Sequence, residues 1–137
     1  MVDINGDGFL DIYVCNSGDV EGDNKQNELF INNGDLTFKE SALKYNLNDE
    51  GFSTHANFFD YEKDGDLDVY ILNNSFQAIG SFDLRRNERP KRDVLGGDKL
   101  MQNNNGYFED VSESAGIYGS VIGFGLGITI GLSLIHI

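Results

Sequence analysis

The chain has 137 residues, with 10 Lys and Arg against 23 Asp and Glu and a formal net charge of -13 at pH 7, so it holds at most one ordinary domain, and its surface repels nucleic-acid phosphates and anionic lipid while attracting cations. A hydrophobic share of 39% with 10 Phe and 6 Tyr excludes a solvated, disordered tail. The balance of 17 Gly to 1 Pro implies many tight turns rather than long helices, and the single Cys15 excludes an internal disulfide.

In chain order, "DINGDGFLDIYVCN" (Asp3 to Asn16) crowds Asp3, Asn5, Asp7 and Asp11 into a turn and then runs into a short strand rich in β-branched and aromatic residues. "ELFI", "NNGD" and "LTFKE" read as a hairpin whose Asn-Gly suits positive φ. "HANFF" is a strand that delivers its end into a second acidic turn, "DYEKDGDLDVYILN" (Asp60 to Asn73), and "LDVYILN" is the strand that follows. "SFQAIGSFDLRRNERPKRDVLGG" reads as a loop, "DKLMQNNNGYFED" as a further hairpin, and "IGFGLGITI" as a strand of the kind that precedes an acidic turn. The closing "LSLIHI", Leu132 to Ile137, is what CTG TCT CTT ATA CAC ATC encodes, the mosaic-end adaptor of transposon-based sequencing libraries. It is expected to be an assembly scar outside the fold.

The two acidic turns are copies. Asp3, Asp7, Gly8, Leu10, Asp11, Tyr13 and Asn16 recur as Asp60, Asp64, Gly65, Leu67, Asp68, Tyr70 and Asn73, an offset of 57 (60 − 3). The hairpin from Asn27 recurs from Asp98, an offset of 71 (98 − 27), so the second copy holds 14 more residues (71 − 57) between its landmarks. Self-similarity at such a period marks a repeat architecture, and three to four strands per unit suggest β-propeller blades. The expected organisation is an all-β chain of about two blades. Residues 1–49 form a first blade, 50–118 a second with an insertion around 76–97, and 119–131 the start of a third. Met1 and Val2 align with Phe58 and Phe59, the end of a strand, so Met1 is expected to be an internal methionine of a longer gene. On that expectation a signal peptide would not be visible here.

The turn pattern is D-x-[DNE]-x-D-G-x-x-D, with hard oxygen donors at alternate positions, the chemistry of a Ca²⁺ loop. In the first turn the expected ligands are the side chains of Asp3, Asn5 and Asp7, the Phe9 carbonyl and the Asp11 carboxylate. In the second they are Asp60, Glu62, Asp64, the Asp66 carbonyl and Asp68. Gly8 and Gly65 stand at position six, where the chain reverses and a Cβ would be penalised. An EF-hand would need a bidentate Glu at position twelve and a following helix, whereas Val14 and Ile71 stand there within β-rich runs. Mg²⁺ fits less well, since it keeps several waters and takes few protein ligands.

These segments, with "NELFINNGDLTFKE", "FFDYEKDGDLDVYILNN", "DKLMQNNNGYFEDVSESAGI" and "GFGLGITIG", cover nearly all of the chain before Leu132. In order and spacing the chain resembles the FG-GAP/VCBS-type repeats of integrin-α-like β-propellers. It is most similar to bacterial proteins related to cartilage acidic protein that carry an ASPIC/UnbV domain. The resemblance implies a seven-bladed propeller with Ca²⁺ in turns between strands, in secreted or surface-exposed proteins. Glu62 departs from the usual Asp or Asn, and no ASPIC/UnbV segment is present.

Elsewhere the residues favour plain roles. Arg85, Arg86, Arg89, Lys91 and Arg92 hold half of the basic residues and are expected as a solvated insertion pairing with the acidic body, against a docking loop for an anionic partner. His55 has no second His or matching acid and is expected to be buried or hydrogen-bonded rather than a base. Cys15 aligns with Leu72 as a small core residue, and Asn73-Asn74-Ser75 is a glycosylation sequon in form only. The expected function is a non-enzymatic, Ca²⁺-stabilised propeller segment with two structural ions, binding a protein or glycan ligand at the cell surface beside neighbouring blades. Neither nucleic acid nor membrane insertion is expected. The competing class is a carbohydrate-active propeller enzyme whose catalytic groups lie outside these residues.

Overall fold

The computed structural model describes residues 1–17, 25–78, 80, 82–83 and 85–131. The expected adaptor scar, Leu132 to Ile137, lies outside the described residues. The chain forms two antiparallel meanders. β1 (Ile12–Val14), β2 (Glu28–Asn32) and β3 (Phe38–Glu40) make a three-stranded sheet in the order β1-β2-β3. A helical turn, α1 (Ala42–Tyr45), follows. Then β4 (Phe52–Phe59), β5 (Asp68–Asn74), β6 (Lys99–Asn103) and β7 (Phe108–Asp110) make a four-stranded sheet in the order β4-β5-β6-β7.

The repeat read from the sequence is a repeat of pairing. Ile12 opposite Phe30 and Val14 opposite Glu28 in the first sheet correspond to Val69 opposite Met101 and Ile71 opposite Lys99 in the second. Among the described residues the first sheet shows no strand matching β4. Val2 stands at the end of that place, exchanging two backbone bonds with Asp11 (3.0 and 2.7 Å) where Phe59 pairs with Asp68. The hairpin at Asn105-Gly106 has φ of 56° and 87°, as a type I′ turn requires. Its counterpart is one residue longer and places its positive φ at Gly34 and Leu36, not at Asn33.

The core lies between the sheets. Val69, Ile71, Met101 and Phe108 of the second sheet meet Leu29, Ala42, Tyr45 and Leu47 of the first unit, with Ile4 at one end. Each large side chain so buried stabilises the pair by about 1.5–3 kcal/mol. The helical turn α1 was not foreseen from the sequence. It is closed by Asn46 at φ 60°, whose N–H bonds back to Ala42 and Leu43, and the same backbone pattern recurs after β7 with Gly116 at φ 77°.

Polar stitches join the units at the strand ends away from the acidic turns. Asn27, wholly buried, donates to the Tyr13 hydroxyl (2.9 Å) and Ser53 Oγ (2.8 Å) and accepts the Asn16 N–H (2.7 Å). Ser53 donates to Asn73 Oδ1 (2.7 Å), Asn73 donates to Asp49 Oδ2 (2.8 Å), and Lys99 Nζ meets Asp49 Oδ1 at 2.5 Å. In the second unit Asp98 takes the place of Asn27, accepting from the Asn73 N–H and the Tyr70 hydroxyl, both at 3.1 Å. Burial and the Asp98 charge push the Tyr70 phenol up to about 12, so it stays a donor. Asn73 is fully buried, which closes it to glycosylation in the folded chain.

Candidate metal-binding turns

Each acidic turn is organised by its first residue. Asp3 Oδ1 accepts the N–H groups of Gly6 (2.9 Å) and Asp7 (3.1 Å), and Oδ2 accepts that of Gly8 (2.9 Å). Asn5 Oδ1 accepts the Asp7 N–H (3.1 Å), Asn5 Nδ2 donates to Asp7 Oδ2 (2.8 Å), and Asp7 Oδ1 accepts the Phe9 N–H (2.9 Å). The second turn repeats the core of this. Asp60 accepts from Asp64 and Gly65, both at 3.2 Å, and Asp64 accepts from Asp66 (3.1 Å). Gly8 and Gly65 have φ of 88° and 99°, the left-handed conformation that position six demands. Position four is left-handed too, at Gly6 (72°) and at Lys63 (65°), so the second turn holds a non-glycine residue in a strained conformation.

Asp11 and Asp68, expected as the last ligands, are fully buried and buckle each turn to the next strand. Asp11 accepts the Ile4 N–H (3.0 Å) and the Asn32 N–H (2.9 Å). Asp68 accepts the Tyr61 N–H (2.6 Å) and the Asn103 N–H (2.8 Å). Asn32 and Asn103 return a side-chain bond to the Leu10 and Leu67 carbonyls, a partner for the acid that the motif alone did not point to.

Both turns lie at the same end of the two sheets. Asp3, Asn5, Asp66, Asn103 and Tyr45 line one groove of about 470 Å³ between them. The second turn is the more crowded. Asp66 Oδ1 is out of solvent and has no hydrogen-bond partner among the described residues. Desolvation, with the charges of Asp64, Asp68 and Glu62, pushes the Asp66 carboxyl up to about 6. Its side chain, as distinct from its carbonyl, was not singled out from the sequence.

The donor chemistry suits a hard divalent cation. Asp3 Oδ2, Asn5 Oδ1 and both oxygens of Asp7, Asp11 and Asp60 each accept one bond and keep a lone pair. Among the described residues no group of three or more His, Cys, Asp or Glu is gathered to hold one ion. The carboxylates face the turn's own amides instead. The orphaned Asp66 oxygen and the acids around it are the feature a cation would relieve.

The other candidates resolve plainly. Arg86 pairs with Asp83 (3.6 Å), Lys91 with Glu88, and Arg92 with Asp110 (3.9 Å). Two of these three pairs stay inside the insertion rather than reaching the acidic body. His55 sits half-buried in β4, with Gly127 beside its ring. Burial and the Asp49 charge push the half-buried Cys15 thiol up to about 11, which favours the neutral thiol at neutral pH. Among the described residues no helix is long and apolar enough to cross a membrane.

A family model, the FG-GAP-like repeat, matches residues 3–71, from the first acidic turn to β5. No curated protein and no solved structure matches the chain.

Proposed function

The chain belongs to the FG-GAP-like repeat family, and from that premise we propose that its two acidic turns bind Ca²⁺ in a structural role, within a non-enzymatic propeller segment that serves adhesion or ligand binding outside the cell. The observation that carries the reading is that two turns of the same pattern fold alike, with an Asp at position one collecting loop amides, a left-handed Gly at position six and a buried Asp at position nine. Asp3, Asn5, Asp7 and Asp11 would hold one ion with the Phe9 carbonyl. Asp60, Glu62, Asp64 and Asp68 would hold the other with the Asp66 carbonyl. When bound, a divalent cation offsets the mutual repulsion of these carboxylates and links turn folding to metal.

The partner class is a protein or glycan, and the ASPIC/UnbV-associated subtype is the kinship the motif order favours. The test is thermal melting of the chain stripped with EDTA and then titrated with Ca²⁺. The reading expects a rise in melting temperature that Asp3→Ala and Asp60→Ala each reduce. A melting temperature indifferent to millimolar Ca²⁺ in a folded chain would refute it.

A further inference from the structure

The sequence holds three Asn-Gly pairs, Asn5-Gly6, Asn33-Gly34 and Asn105-Gly106. In such a pair the side-chain amide is open to attack by the next backbone nitrogen, because glycine carries no Cβ to hinder it. All three asparagines are exposed, so exposure does not tell them apart. The surroundings of each glycine N–H do.

Gly34 and Gly106 belong to the two hairpins, and their N–H groups are tied to neutral side-chain amides. Gly34 donates to Asn32 Oδ1 (3.0 Å) and Gly106 to Asn103 Oδ1 (2.8 Å). An amide oxygen accepts the hydrogen bond but does not take the proton. The Gly6 N–H donates instead to a carboxylate, Asp3 Oδ1, at 2.9 Å. A carboxylate held there can take the proton as the nitrogen attacks, which is the part of a general base.

The asparagine side chains differ as well. Asn5 Oδ1 reaches forward to the Asp7 N–H (3.1 Å) and Asn5 Nδ2 to Asp7 Oδ2 (2.8 Å), which folds the side-chain amide over the Gly6 peptide that must attack it. Asn33 Nδ2 is drawn away to Thr37 Oγ1 (2.9 Å). Space separates the sites too. No atom lies within 4 Å of where a Cβ on Gly6 would stand, whereas the Phe9 ring comes to 2.8 Å at Gly34 and Tyr45 to 3.8 Å at Gly106. A five-membered ring, and the water that opens it, have room only at the first site.

We propose that Asn5 is a self-modification site, at which the chain deamidates ahead of its other two Asn-Gly pairs with Asp3 as the base. The bond from Gly6 N to Asn5 Cγ forms and the Cγ–Nδ2 bond breaks. The Gly6 proton passes through Asp3 and water to the leaving nitrogen, which departs as ammonia. Water then adds to the cyclic imide and opens it to aspartate or isoaspartate, so the net reactant is water alone. The aspartate product puts an acid at position three of the first turn, where the second already has Glu62. The isoaspartate product lengthens the backbone there and breaks the pattern of amides that Asp3 collects.

The test holds the whole chain in EDTA at neutral pH and body temperature, so that it stands apart from the Ca²⁺ reading. Samples taken over days are peptide-mapped by mass spectrometry, folded and in urea, with far-ultraviolet circular dichroism checking the fold. Asn5 should convert several-fold faster than Asn33 and Asn105 in the folded chain, and all three should convert at similar rates in urea. Folding should therefore speed Asn5 while slowing the other two. Asp3→Asn, which keeps an acceptor but removes the base, should bring folded Asn5 down to its rate in urea or below. Folded Asn5 converting no faster than Asn33 and Asn105, or more slowly than in urea, would overturn the proposal.

Discussion

Asp68→Ala removes the buckle between the second acidic turn and β6. The carboxylate is fully buried and accepts two backbone N–H groups, from Tyr61 at 2.6 Å and Asn103 at 2.8 Å. Hydrogen bonds to a charged group contribute about 1.5–3 kcal/mol each, and a buried donor left without an acceptor costs about 1–3 kcal/mol. Two such losses place the destabilisation at roughly 3–6 kcal/mol, a large share of the ~5–15 kcal/mol that holds an ordinary domain. Asp64→Ala is the matched control, because Asp64 is exposed and its carboxylate caps a single loop amide. Its cost should stay within about 0.5 kcal/mol, as for most surface positions. Both are measured by urea unfolding followed by far-ultraviolet circular dichroism in EDTA, so that cation binding plays no part. An Asp68→Ala midpoint within about 1 kcal/mol of the parent would refute the buckle.

Ile71→Ala, fully buried between the sheets, should cost about 2–5 kcal/mol in the same assay, while Ile130→Ala, part-exposed, should cost far less. Gly65→Ala meets no atom within 4 Å, so its cost is that of the left-handed backbone alone, about 1–2 kcal/mol, read as a lowered unfolding midpoint. Burial raises the Asp98 carboxyl above its ordinary value, against the bonds from Asn73 and Tyr70 that lower it. A carboxyl raised in the folded state binds more protons there than in the unfolded chain, so its contribution is present below the ordinary carboxylate range and is lost as pH rises through the folded value. Asp98→Asn, the residue the first unit already uses at Asn27, should flatten that part of the stability–pH curve, and an unchanged curve would contradict the assignment.

Most strands were legible because their signal is local, but "IGFGLGITI", read as a strand, forms only the isolated Asn74–Phe124 bridge. β-branched and aromatic runs bounded by Asp, Gly and Asn locate β2, β3, β5, β6 and β7 closely. β4 extends further toward Phe52 than "HANFF" suggested, and β1 is cut to Ile12–Val14. That difference follows from partners: β5 has strands on both sides, whereas among the described residues β1 has β2 alone along its length. The repeat was legible too, down to the one-residue change of offset, which is the longer hairpin at Gly34. The acidic turns were found by spacing, but the tie of Asp11 to Asn32 and of Asp68 to Asn103 spans 21 and 35 residues and has no local pattern. The same holds for Asn27, Ser53, Asn73, Asp49 and Lys99, polar residues that read as turn or surface until the second unit packs over them. The α1 turn was missed because four residues of "ALKY" carry no helical periodicity.

The central claim is most directly tested by calorimetric titration of the EDTA-stripped chain with Ca²⁺, paired with melting at each concentration. The account predicts two bound ions per chain and a stabilisation of about 2.7 kcal/mol per site at a hundredfold excess over the dissociation constant. Asp3→Ala and Asp60→Ala should each remove one ion. A folded chain that takes up no Ca²⁺ and melts identically in Ca²⁺ and EDTA would contradict it.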